Sequence, residues 1–268
     1  MTGVQASEKN KRIFNFLTKF SNPHDVKIIL DNIGFDISLF KIILIAFKLW
    51  RGVPVAKIIN KKWFYGLPFY TNKYTLDPRP DSETLVEAVL KDLQTEKQQH
   101  QTRILDLGTG TGCLLIAILK NFPNIIGVGI DKSQKACIVA QKNVNSLGLK
   151  DKIKIIHSSF ISYLKYHASQ YDIIIANPPY IPRGDKGMNR GALHDPKMAL
   201  YGGKDGLRYY KEIAEALHHV KHSSKLFLEI GVGQENSVRK ILDDAHWTFL
   251  SGYKDLAGKT RVLSFKNF

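Results

Sequence analysis

The sequence predicts an α/β fold: a mostly parallel sheet with helices on both faces, preceded by a small helical bundle and a β-hairpin. Three observations predict it. From Arg103 onward, short apolar runs alternate with amphipathic segments, as parallel strands joined by crossover helices do. Residues 6–60 instead repeat apolar positions at helical spacing. Between them, "KKWFYGLPFYTNKYTLDP" sets aromatic and β-branched residues around Gly-Leu-Pro, a hairpin signal. The expected division is 1–60 for the bundle, 61–80 for the hairpin linker and 81–268 for the α/β domain.

In the bundle, "RIFNFLTKF" is a helical run. "NPHDVKIILDNIG" opens on an Asn-Pro break and closes on Gly34, a C-cap residue. "DISLFKIILIAFKLW" follows, with Asp36 or Ser38 as N-cap, and "RGVP" ends the pattern. The longest apolar stretch lies here. Lys41 and Lys48 interrupt it and it is too short to span a bilayer, so it is expected to be a buried helix.

"DSETLVEAVLKDL" opens the second domain as a helix. Strand "RILDLG", helix "CLLIAILKNF", strand "IIGVGID", helix "SQKACIVAQKNVNSLG" and strands "KIKIIH" and "YDIIIAN" follow. A long polar loop then leads to helix "GLRYYKEIAEALHHV", strand "KLFLEIG" and helix "QENSVRKILDDA". The runs "WTFLSG" and "KTRVLSF" are separated only by a short turn, which predicts an antiparallel pair.

Net charge is +15, from 39 basic and 24 acidic residues, and it is uneven. Residues 1–75 hold 12 Lys/Arg against 4 Asp/Glu, so the bundle is a basic module suited to an acidic partner or to sites near nucleic acid. Two cysteines, Cys113 and Cys137, cannot build a disulfide framework and lack metal-ligand spacing. The first twelve residues are polar and show no secretory pattern. A reducing, cytoplasmic setting is expected, with an organelle left open, no membrane association and a monomeric chain.

"ILDLGTGTG" places Gly108, Gly110 and Gly112 at the end of the first strand of the alternating unit. Glycines there let backbone approach a ligand closely, at the edge where such sheets bind nucleotides. Asp131 ends the next strand, and its carboxylate can accept from ribose hydroxyls. The spacing leaves open a dinucleotide loop and a bare structural turn. Preceded by Asp106, it resembles motif I of class I S-adenosyl-L-methionine (SAM) methyltransferases. That comparison assigns Asp106, Gly108, Thr109, Gly110, Thr111 and Gly112 to the cofactor.

The fourth strand of the unit ends in Asn177-Pro178-Pro179-Tyr180. Proline locks φ and removes an N–H, so the turn is stiff and its carbonyls remain acceptors. The Asn177 side-chain oxygen and the Pro178 carbonyl can face one –NH2 group together, with Tyr180 offering a flat face to a planar group. Such a clamp suits methyl transfer to an amide or base nitrogen, a poor nucleophile that gains most from orientation.

Further segments resemble the release factor glutamine N5-methyltransferases: "RGVPVAKIINKKWFYGLPFY", "DPRPDSE", "HDPKMALYGGKDGLRYYKEI", "LFLEIGVGQ" and "KDLAGKTRVL". The likeness runs from about residue 50 to the end. It implies a Rossmann-like, mostly parallel seven-stranded sheet with an antiparallel last strand, and SAM as cofactor. It also implies methylation of the glutamine in the Gly-Gly-Gln motif of peptide chain release factors, modulating translation termination. The bundle becomes a substrate-docking domain, with Lys57, Lys61 and Lys62 as its charged contacts, and residues 81–268 the catalytic domain. Asn177 and Pro178 then hold the glutamine amide, Pro179 stiffens the turn, Tyr180 packs on the amide, and Arg79 and Glu83 lie beside the reaction cavity. NPPY turns also resemble those of N6-adenine and N4-cytosine nucleic-acid methyltransferases, the alternative reading. A SAM-responsive binding module without turnover is a third.

The chain departs from that family at three places. Ser159, beside Phe160, stands where an adenine-binding Asp is usual, Asp195 follows His194 in place of an aromatic-Glu-Pro pattern, and Ser82 replaces a Thr. The long loop from Ile181 to Asp205 is expected to close over the inserted glutamine loop. His218 and His222, spaced i, i+4, are expected to be basic residues at a helix end, and no metal is expected.

Overall fold

The computed structural model describes residues 3–95, 101–167, 170–185, 187, 190–220 and 223–268. His222 lies outside them.

Four helices open the chain: α1 Gly3–Leu17, α2 Pro23–Ile33, α3 Leu39–Trp50 and α4 Val55–Ile59. Asn22 caps α2 by accepting the Asp25 N–H, and Gly34 closes it at φ 75°. Ser38, not Asp36, caps α3 through the Lys41 N–H. Leu17, Val26, Ile29, Leu30, Ile45 and Leu49 form the bundle's own core. One expectation fails here. Only one face of α3 is buried; Leu39, Phe40, Ile43, Leu44, Phe47 and Trp50 form an exposed apolar stripe on the other, Phe40 at 77% and Trp50 at 70%. The other three helices of the bundle have too little surface to cover more than one face of a helix this rich in apolar residues.

Strands β1 Lys61–Phe64 and β2 Leu67–Tyr70 pair antiparallel around Tyr65-Gly66. Both turn residues have positive φ, 49° and 71°, as a type I′ turn requires. Phe64 and Phe69 point into the core shared with the next domain. The Asn143 side chain fastens β2 by accepting the Tyr70 N–H at 2.8 Å and donating to its carbonyl at 3.0 Å.

A turn of 3-10 helix, Pro80–Ser82, leads into α5 Glu83–Thr95. Then come β3 Thr102–Leu107, α6 Cys113–Asn121, β4 Ile125–Asp131, α7 Gln134–Ser146, β5 Ile153–His157, α8 Phe160–His167 and β6 Ile173–Ala176. The chain ends with α9 Arg208–Ala216, β7 Lys225–Glu229, α10 Glu235–Asp244, β8 Thr248–Lys254 and β9 Thr260–Lys266. The seven strands lie in the order β5-β4-β3-β6-β7-β9-β8, parallel except for β9, which runs antiparallel to both neighbours.

Helix α8 was not evident in the sequence. Parallel strands need a crossover, but "FISYLKYH" is rich in aromatic and β-branched residues and buries only Leu164, so its helical period is faint. The chain steps outward through β3, β4 and β5, then returns to lay β6 on the other side of β3. That reversal opens a crevice at the carboxyl ends of β3 and β6.

Candidate active site

The crevice holds a cavity of about 440 Å³. Its floor is the glycine loop, where the Gly108 and Thr109 N–H groups both reach the Ile130 carbonyl at 2.9 Å. Gly108, Gly110 and Gly112 all have positive φ, between 55° and 79°. A Cβ on any of them is strained, and one on Gly112 also meets Ile116 at 3.2 Å. Gly108, Thr109, Gly110 and Thr111 line the cavity; Gly112 and Asp106 stand behind it.

Asp106 is almost wholly buried. Its Oδ2 accepts the Thr109 hydroxyl at 2.6 Å, and its Oδ1 is buried without a partner. Burial, with the nearby Asp131 charge, pushes the carboxyl up to about 7, against the pull of the Thr109 hydroxyl. Asp131 lines the cavity and accepts the Gly110 N–H at 3.0 Å and the Ser133 N–H at 2.8 Å. Burial raises its pKa, and those two bonds oppose the rise.

Asn177, Pro178 and Pro179 line the opposite wall. The Asn177 Nδ2 donates to Ser82 Oγ at 3.0 Å, which leaves its Oδ1 as the acceptor on the other side of the amide. Among the described residues no donor reaches Asn177 Oδ1 or the Pro178 carbonyl. Behind the turn, Gln234 Nε2 donates to the Tyr180 carbonyl at 3.0 Å. Gly202 and Gly206 press on the same turn: a Cβ on Gly202 would run into the Pro179 carbonyl and one on Gly206 into that of Tyr180. The described ends of the 181–205 loop are therefore fastened, with Ile181 N–H on Leu200 O at 3.0 Å and Gly202 N–H on Ile181 O at 2.9 Å.

Tyr180 does not line the cavity. Its hydroxyl turns inward to Glu229 Oε1 at 3.4 Å, and burial raises its pKa well above that of an ordinary tyrosine. Glu83 is also outside: its carboxylate accepts the Tyr65 N–H at 2.7 Å and holds the hairpin turn. Arg79 does line the cavity, ion-paired with Asp195.

Lys57 is not a surface charge. Its ammonium is 4% exposed and sits 2.7 Å from Asp77 and 3.0 Å from Asp195. It also donates to the Asn72 and Thr75 carbonyls at 2.7 and 2.6 Å. This centre ties α4 to both cavity walls, since Asp77 and Arg79 belong to one and Pro196 follows Asp195 into the other. Sequence reading placed Lys57 on the docking surface because nothing in a lone lysine signals burial; the acids that hold it lie 20 and 138 positions away.

Ser159 and Phe160 line the remaining side. The Ser159 hydroxyl caps α8, accepting the Ser162 N–H at 3.1 Å and donating to Ser162 Oγ at 2.8 Å. Phe160 meets Tyr209 edge-on at 6.4 Å between ring centres. Tyr209, Glu229 and Gln234 were not singled out from the sequence, and Ser82 only as a departure from the family's pattern. Each sits inside a quoted segment, but only the fold shows what it touches.

A family profile described as "Methyltransferase small domain" matches residues 80–191. The release factor glutamine methyltransferase of Bradyrhizobium diazoefficiens is 38% identical over 217 residues, covering 80% of this chain and 72% of that protein. That of Agrobacterium fabrum is 36% identical over 220 residues, covering 81% and 75%. Among solved structures, the catalytic domain of hMettl16 in complex with the MAT2A 3'UTR hairpin 6 aligns with a TM-score of 0.57 at 15% identity. That match covers 76% of this chain and 77% of the other, and it shows the fold alone.

Proposed function

The chain belongs to the release factor glutamine methyltransferases, and from that premise we propose how its cavity performs the reaction: transfer of a methyl group from SAM to the side-chain amide nitrogen of a release-factor glutamine, the one in the Gly-Gly-Gln motif. The observation that carries the reading is the pair of unclaimed acceptors, Asn177 Oδ1 and the Pro178 carbonyl, on a turn backed by Gln234, Gly202 and Gly206.

The residues present suit SAM. Asp106 keeps a buried, unpartnered oxygen beside the loop assigned to the methionine end. Asp131, oriented by two backbone N–H groups, would accept from the ribose hydroxyls. Phe160 and Tyr209 would take the adenine ring, because the Ser159 hydroxyl is already engaged as a helix cap.

Bound SAM supplies an electrophilic methyl on a sulfonium. The protein's part is orientation. Asn177 and Pro178 accept both N–H bonds of the carboxamide, which draws its nitrogen toward tetrahedral geometry and aims the lone pair along the carbon–sulfur bond. Orientation of this kind is worth up to about 7–11 kcal/mol in the best cases. Arg79, steadied by Asp195, faces the cavity with guanidinium N–H groups to spare for carbonyls of the incoming loop.

Docking falls to the bundle. The exposed stripe of α3, flanked by Lys41, Lys48 and Arg51, combines an apolar patch with positive charge. Such a surface fits a protein partner met with electrostatic steering. The nucleic-acid alternative is not favoured, since several relatives that align over most of the chain are named for a release-factor substrate.

Tritiated SAM offered with a release factor, its Gln→Ala tip variant, RNA and DNA tests the reading. Label is expected on the intact release factor alone. Label on nucleic acid, or label that survives the Gln→Ala change, overturns it.

A further inference from the structure

Arg79 brings a guanidinium to the cavity wall with most of its donors uncommitted. Its side chain is 40% exposed, and its carboxylate partner among the described residues is Asp195, whose Oδ2 accepts from Nη2. A guanidinium carries five N–H donors in a rigid fork, so one such bond fixes its direction and leaves the others for the cavity. The backbone of Arg79 is held separately, its carbonyl accepting the Ser82 N–H at 3.0 Å. Where the guanidinium points is therefore decided by Asp195 and not by the turn.

Asp195 is fixed in turn from deeper inside. Its side chain is 1% exposed. Oδ1 lies 3.0 Å from the Lys57 ammonium and accepts the Asp77 N–H at 3.3 Å, which leaves Oδ2 as the oxygen turned to Arg79. Lys57 belongs to the bundle: Val55, Ile58 and Ile59 of the same short helix pack on the bundle's core. Two acids, Asp77 and Asp195, thus meet two cations, Lys57 and Arg79. The ammonium is closed in and the guanidinium is half out, so Arg79 is free to face the cavity only while Lys57 balances the inner charge. Buried carboxylates that lose a partner are costly. Without the ammonium, the guanidinium is drawn inward and its N–H groups are consumed by the two acids.

We infer that Lys57 and Asp195 are positioning residues for the substrate: Lys57, from inside the bundle, pins Asp195, and Asp195 aims the Arg79 guanidinium at the backbone carbonyls of the incoming glutamine loop. Lys57 then acts on substrate binding through the cavity and not through the docking face. The inference rests on the reading of the cavity as the seat of a release-factor glutamine, and it adds two residues that touch neither substrate nor cofactor.

The test is steady-state methylation of an intact release factor and of a short Gly-Gly-Gln peptide, with SAM affinity by calorimetry and a melting temperature for every variant. Arg79→Ala, Asp195→Asn and Lys57→Met should each raise KM by about 10-fold or more for both substrates, the value of hydrogen bonds from a charged donor. Lys57→Met should leave kcat and SAM affinity within about 3-fold, because the interaction lost is one of binding. On an Arg79→Ala background, Lys57→Met should raise KM no further, since the two act through one contact. Two charge-balanced double variants separate aim from stability. Lys57→Met/Asp77→Asn keeps the Asp195–Arg79 pair and should recover both melting temperature and KM. Lys57→Met/Asp195→Asn should recover melting temperature but not KM, because the group that aims Arg79 is gone.

The inference is wrong if the KM defect of Lys57→Met is confined to the intact factor, as a docking charge would have it. It is also wrong if Asp195→Asn keeps the wild-type KM, if the Lys57→Met and Arg79→Ala losses multiply, or if KM returns with stability in Lys57→Met/Asp195→Asn. Should Lys57→Met alone fail to fold, the two double variants decide: equal KM overturns the inference. Failure of the underlying reading of the cavity would look different, as wild-type methylation that ignores the release-factor glutamine.

Discussion

Replacing Lys57 with Met keeps the length of the side chain and removes one charge from a closed site. Five oxygens surround the ammonium: Asp77 and Asp195 carboxylates, the Asn72 and Thr75 carbonyls, and the Thr71 hydroxyl at 3.3 Å. Without it, two carboxylates remain buried side by side, and among the described residues only Arg79 is left paired with either of them. Removing one partner of a buried pair costs about 3–5 kcal/mol. At roughly 2–4 °C per kcal/mol for a domain of this size, the melting temperature should fall by about 6–20 °C. The deficit should also depend on pH. Burial raises Asp195, and Lys57, by its charge and its hydrogen bond, is the strongest influence lowering it. In the variant its folded pKa moves further above the unfolded value. A carboxyl shifted upward is least costly when protonated, so the stability lost as pH rises through that folded pKa returns on acidification. Calorimetric melts at pH 5 and pH 8 should therefore show the larger gap between variant and wild type at pH 8, and Lys57→Met/Asp195→Asn should recover part of it. An unchanged melting temperature, or an equal gap at both pH values, refutes the reasoning and returns Lys57 to the surface.

Asp106→Asn should weaken SAM by about 10-fold or more in a calorimetric titration if, as proposed, its unpartnered carboxylate oxygen serves the methionine end. Phe40→Asp on α3 should raise KM for an intact release factor several-fold. It should leave kcat with a short Gly-Gly-Gln peptide and the melting temperature unchanged, since Phe40 is exposed. Gly206→Ala should lower kcat by 10-fold or more, as a methyl there displaces the Tyr180 carbonyl that Gln234 holds; a methylation time course reads it.

The sheet was legible because strands buried on both faces are nearly continuous apolar runs, and the "GTGTG" and "NPPY" turns fall where the chain leaves β3 and β6. The two acceptors of the clamp could be read from the same turn, because a proline fixes its own backbone. What held them could not. Ser82 reaches Asn177 across 95 positions and Gln234 reaches Tyr180 across 54, and no local pattern encodes such a pairing. Tyr180 and Glu83 were placed at the cavity because their segments are there; their side chains point away, one to Glu229 and the other to the hairpin turn. Helix α3 was read as buried from its composition alone, and its exposed stripe became visible only once the small bundle had no element left to cover it.

The most direct test is where the methyl group lands. Peptide mapping by tandem mass spectrometry of a release factor incubated with SAM and the enzyme should find one added methyl, on the side-chain amide of the Gly-Gly-Gln glutamine. With Asn177→Ala of intact fold and SAM affinity, that modification should drop at least about 100-fold. A methyl on any other residue, or wild-type modification by Asn177→Ala, contradicts the claim that paired acceptors on the NPPY turn orient the amide.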